Sequence, residues 1–117
     1  MKELYKQIHI YLNMEEEISF EEFDNYYKKV IDYFNDNADK FDEELLWKAL
    51  FISENVMSNA EARAKESKGS LMKKYQKIAQ RLSLWAQNFT ARLAEKGYTE
   101  DQMNERFENM FQDDVNS

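Results

Sequence analysis

Cysteine and proline are absent from the 117 residues, glycine occurs only at Gly69 and Gly97, and the one histidine is His9. Without cysteine there is no disulfide framework, no thiolate metal site and no cysteine nucleophile. Two isolated glycines exclude a glycine-rich phosphate loop. A single imidazole, set between Ile8 and Ile10 on what reads as a short terminal helix, has no second histidine and no Glu-x-x-His pair beside it, so the helical metal-site patterns are missing. His9 is therefore expected to be a partly exposed structural residue, and no cofactor or metal is expected. Long apolar runs are lacking too, since the longest, Ala49 to Ile52, is far too short to span a bilayer. A chain that begins at Met1 with no signal-like apolar segment is expected to be cytoplasmic and to stay out of membranes.

The shortage of breakers is itself a fold prediction. Average usage would place about a dozen glycines and prolines in a chain of this size, so long uninterrupted helices are expected. Their ends are marked by caps. Ile18, Ser19, Glu22 and Phe23 have the spacing of a capping box with a hydrophobic staple. Tyr98, Thr99, Gln102 and Met103 repeat it, with Gly97 placed to end the preceding helix in a left-handed conformation. Phe41, Asp42 and Leu46 form a partial version, with Glu43 and Glu44 in the first turn, where the helix dipole favours negative charge.

Five helices follow, over about 2–13, 20–37, 43–67, 71–96 and 100–112. The third is apolar nearly all round in its first half and polar in its second, which makes its front half the central element. The fourth carries Leu71, Tyr75, Ile78, Leu82, Trp85, Phe89 and Leu93 at alternating spacings of four and three, the seam of an antiparallel hairpin. Gly69 lies in the short connection between these two, so they should fold back on one another. The fold class expected is all-α: a single-domain bundle built on this hairpin, with the last residues, 113–117, frayed.

Charge is unevenly placed. The chain has 16 Lys and Arg against 23 Asp and Glu, a net −7. Residues 1–60 carry 6 basic and 14 acidic side chains, residues 61–97 carry 9 and 3, and residues 98–117 carry 1 and 6. Arg63, Lys65, Lys68, Lys73, Lys74, Lys77 and Arg81 crowd the turn between the third and fourth helices. Such a basic tip suits an acidic protein surface or nucleic-acid phosphates, unless the acidic helices neutralise it within the fold. Phosphates are the weaker reading because the whole molecule repels them. A helix-turn-helix over 93–111 is weaker still, since the second helix would present Glu100, Asp101, Glu105 and Glu108 to the groove.

Two further constellations stand out. Glu54, Asn55, Ser58 and Asn59 begin a polar ridge where the apolar girdle of the third helix ends. If buried, it would need full hydrogen bonding and would be a specificity network or ligand site; if not, it faces water. The second is a surplus of aromatics, with 8 Phe, 7 Tyr and 2 Trp. Tyr26, Tyr33, Trp47 and Phe51 fall away from the main helical stripes, and Tyr and Trp anchor interfaces, so these four are candidates for a partner surface or a homodimer face. The alternative is that the terminal helices cover them.

The expectation drawn from these features is a non-enzymatic interaction or regulatory module that holds another protein, or itself, through aromatic faces and the basic tip. Two alternatives stand beside it: a nucleic-acid-associated protein using the Arg63 to Arg81 segment, and a small-molecule binder or enzyme with an acidic site between the second, third and fourth helices.

Overall fold

The helices begin where their caps place them. In a computed structural model describing residues 1–113, α1 spans Lys2–Leu12, α2 Phe20–Asn37, α3 Glu43–Glu66, α4 Gly69–Glu95 and α5 Glu100–Met110, with a single 3-10 turn at Ala38–Lys40. Ser19 accepts the Glu22 backbone N–H at the start of α2, and Asp42 accepts that of Leu45 at the start of α3. At α5 the box is complete: the Gln102 N–H donates to Thr99 Oγ1, and the Thr99 N–H donates to Gln102 Oε1. Gly97 has φ +102, the left-handed end of α4 that only glycine adopts without strain. Gly69, expected within the connection, instead opens α4 at φ +65, so Ser67 and Lys68 alone join the two long helices.

α3 and α4 are the dominant packing pair. A 27-residue helix is about 40 Å long at 1.5 Å per residue, and the molecule's longest dimension is 42 Å, so the hairpin sets its length. Within the hairpin, Leu46, Ile52 and Val56 of α3 and Leu82, Phe89 and Leu93 of α4 are wholly enclosed. Across one face lies α2, whose Phe34 meets Phe89 and Trp85 with ring centroids 5.1 and 5.4 Å apart. α1 and α5 both pack on the front half of α3. Too short to be stable alone, they are held by aromatic contacts: Tyr5 of α1 and Phe107 of α5 both pack on Phe51.

One long-range tie joins the chain's two ends. The Tyr5 hydroxyl donates to Asp113 Oδ2 at 2.6 Å, while residues 114–117, the rest of the stretch expected to fray, lie outside those described. Among the described residues, no helix is long and apolar enough to cross a membrane.

Candidate functional site

The aromatic faces expected at a partner surface are covered from within the chain. Phe51 is 0% exposed, enclosed by Tyr5, His9, Phe107 and Phe111. Trp47 is 4% exposed, with Tyr98 edge-on at 5.1 Å and the Arg106 guanidinium 5.7 Å from its ring. Tyr26 is 6% exposed, and its hydroxyl donates to the Leu4 carbonyl at 2.6 Å, closing α1 onto α2. Tyr33 is half-buried and stacks on Phe41. For three of the four the cause is one: Tyr26, Trp47 and Phe51 lie off the hairpin seam because α1, α5 and the loop after α4 form a second layer over them, while Tyr33 rests on Phe41 just before α3 and keeps part of its surface open. His9 is corrected likewise: stacked on Phe51 at 4.9 Å, it is 3% exposed, and its Nε2 is buried without a hydrogen-bond partner.

The polar ridge divides rather than acting as one site. Asn55 is buried, but its Nδ2 donates to the Phe51 carbonyl one turn back, and Asn59 Nδ2 donates to that of Asn55. Such back-bonding ties one N–H of each amide to its own helix. Ser58 and Asn59 are exposed. Glu54 is half-buried, and burial first, then the nearby Glu61 charge, pushes its carboxyl above the usual range.

The basic segment also divides. Arg63 turns inward: its Nη1 donates to the Ile18 carbonyl at 3.0 Å and to the Tyr75 hydroxyl at 3.3 Å, and its guanidinium carbon lies 4.6 Å from the Phe23 ring centroid. It clamps the α1–α2 loop onto the hairpin and takes no part in the tip surface. Lys65, Lys68, Lys73, Lys74, Lys77 and Arg81 remain exposed. The ion pairs among the described residues, Lys28 with Asp24 and Lys48 with Glu44, include none of these six. The acidic helices therefore leave the tip unneutralised by direct contact.

Helical spacing aligns Lys73, Lys77, Arg81 and Leu84 along the outer stripe of α4, with Lys74 on its flank. Beside this stripe a groove of about 650 Å³ runs between α2 and α4. Its apolar lining is Phe20, Tyr27, Ile78 and Leu84; its charged lining is Lys28, Lys74, Lys77 and Arg81 against the one carboxylate of Asp24, which Lys28 already holds at 2.8 Å. Lys74 Nζ lies 5.4 Å from the Phe20 ring centroid. Burial pushes the Tyr27 hydroxyl above its ordinary value, opposed by the Arg81 charge, so Arg81 and this tyrosine share one electrostatic environment. Leu84 is 67% exposed, the most exposed large hydrophobic side chain among the described residues.

Cationic rims over an aromatic and aliphatic floor suit an anionic segment that brings an apolar side chain. Phe20 and Tyr27, seven residues apart on one stripe of α2, were missed as site residues, and the signal available was that spacing. A smaller cavity of about 210 Å³ under the α1–α2 loop is lined by Glu15, Glu16, Glu17 and Arg63 over Tyr11, Phe23 and Tyr26. Among the described residues, no three His, Asp or Glu side chains are grouped to hold a metal ion. Comparison with protein-family models, with curated proteins and with solved structures finds no match.

Proposed function

We propose that this chain is a non-enzymatic docking module, working in the cytoplasm, that holds an acidic segment of another protein along the groove between α2 and α4. The observation that carries the reading is the lining of that groove. Four cations surround a floor of Phe20, Tyr27 and Ile78, and Leu84 stands in the open beside it, on a chain whose net charge is −7. An acidic amphipathic helix would set its carboxylates against Lys74, Lys77 and Arg81 and its apolar side chains on Phe20, Tyr27 and Leu84. Exposed ion pairs are worth about 0.2–1 kcal/mol each, so the rim supplies orientation and on-rate, while burial of the apolar floor supplies most of the affinity. Nucleic acid is the poorer occupant. Its charge density meets long-range repulsion from the acidic remainder of the molecule, and the groove's aromatic rings are partly buried rather than splayed for base stacking.

The test is a titration of the whole protein into a labelled acidic amphipathic helical peptide and, separately, into a labelled DNA duplex, followed by anisotropy at several salt concentrations. Peptide binding that weakens with salt is expected. It should fall at least about tenfold in a Lys77→Glu, Arg81→Glu variant and about tenfold in Leu84→Ala, the loss of roughly one buried aliphatic side chain. Tighter binding to the duplex, with no peptide binding at comparable concentrations, would replace this reading with the phosphate one.

A further inference from the structure

The two faces of the hairpin are unequally covered. α2 and the loop before it lie across one side, and α5 reaches only the front half of α3, where Trp47 and Phe51 sit. Toward the tip, a second groove of about 940 Å³ is lined by residues of α3 and α4 alone. Its floor is apolar and low, made of Ala64, Ala79 and Met72, with Leu84 standing at one end. Its rims are Glu61 and Lys65 on α3 and the uncharged Gln76 and Gln80 on α4.

We infer that this face joins two copies of the chain about a two-fold axis. Like copies of a −7 molecule repel one another, so any self-association must use a face free of the acidic surplus and complementary to itself. This face meets both conditions. Glu61 and Lys65 lie one helical turn apart, both exposed, and neither is in an ion pair among the described residues. A two-fold axis crossing α3 between them sets Glu61 of each copy against Lys65 of the other, an isologous pair made twice. The glutamine amides on the opposite rim both donate and accept, so they too can meet their own kind. The small side chains of Ala64, Ala79 and Ser83 let a second backbone approach. An acidic partner would prefer the other groove, where the cations are in excess. The inference does not rest on the docking reading, although Gln80 and Leu84 line both grooves.

The experiment is sedimentation equilibrium of the whole chain from low micromolar to near-millimolar concentration, with circular dichroism to show that each variant keeps its helices. A reversible monomer–dimer equilibrium is expected. Glu61→Lys sets lysine against lysine and Lys65→Glu sets glutamate against glutamate, so each should weaken the dimer by about tenfold or more. The double variant restores the pairing with its signs exchanged and should return to within about threefold of the original. A chain that stays monomeric throughout, a dimer indifferent to both single changes, or a double variant as weak as the singles would each overturn the inference. Both positions are exposed on α3 and outside the α2–α4 groove, so at concentrations where the chain is monomeric acidic-peptide binding should be the same in all three variants.

Discussion

Replacing Phe51 by alanine removes the ring on which both terminal helices rest. That ring is 0% exposed and meets Tyr5, His9, Phe107 and Phe111 at centroid separations of 5.5, 4.9, 5.3 and 4.9 Å. Truncating a buried phenylalanine costs about 3–5 kcal/mol. The aromatic pairs lost with it, worth about 0.5–1.5 kcal/mol each beyond their area, place this site in the upper half of that range. We expect a loss of about 4 kcal/mol, a large fraction of the roughly 5–15 kcal/mol that holds a domain of this size together. Urea unfolding followed by circular dichroism measures it directly. Hydrogen exchange should show the largest loss of protection in α1 and α5, which lose their shared support. A loss below about 1 kcal/mol accompanied by a changed association state would refute the reasoning, because Phe51 would then be an interface residue and not the keystone of the second layer.

Acid should weaken the same region. Burial holds the His9 ring below its ordinary value of 6.5, with Asp113 opposing. The neutral ring's contribution to stability is therefore complete above about pH 6.5, where the unfolded chain is also unprotonated, and declines as pH falls below it. As the only histidine, His9 gives one ring signal to follow by NMR; a native midpoint at or above 6.5 would contradict its burial, and a His9→Phe variant should lose this part of the acid slope. Arg63→Met should lower stability by about 2 kcal/mol, the worth of charge-assisted hydrogen bonds to the Ile18 carbonyl and the Tyr75 hydroxyl, while leaving acidic-peptide binding unchanged. A binding loss without a stability loss would put Arg63 back on the working surface.

Local chemistry was legible in the sequence and tertiary placement was not. Ser19, Asp42 and Thr99 mark helix starts because a cap acts within four residues, and Gly97 marks an end for the same reason. The hairpin could be read from the spacing of Tyr75, Ile78, Leu82 and Phe89, all of them buried. For Tyr26, Trp47 and Phe51 the sequence left a partner surface and cover by the terminal helices both open, because a helical stripe says that a residue lies off the main seam, not what will cover it. Arg63 carried a usable signal: it follows Val56 and Ala60 at spacings of seven and three, and both are buried, so its stripe faces inward. The basic character of the tip was readable from Lys73, Lys74, Lys77 and Arg81. That α2 turns Phe20 and Tyr27 toward them depends on how α2 crosses the hairpin, which no local pattern records.

The most direct measurement is backbone amide NMR of the labelled protein titrated with an acidic amphipathic helical peptide. Docking between α2 and α4 predicts shift changes concentrated at Phe20, Tyr27, Lys74, Ile78, Arg81 and Leu84, with Trp47 and Phe51 unmoved. No change, or changes confined to another surface, would contradict it.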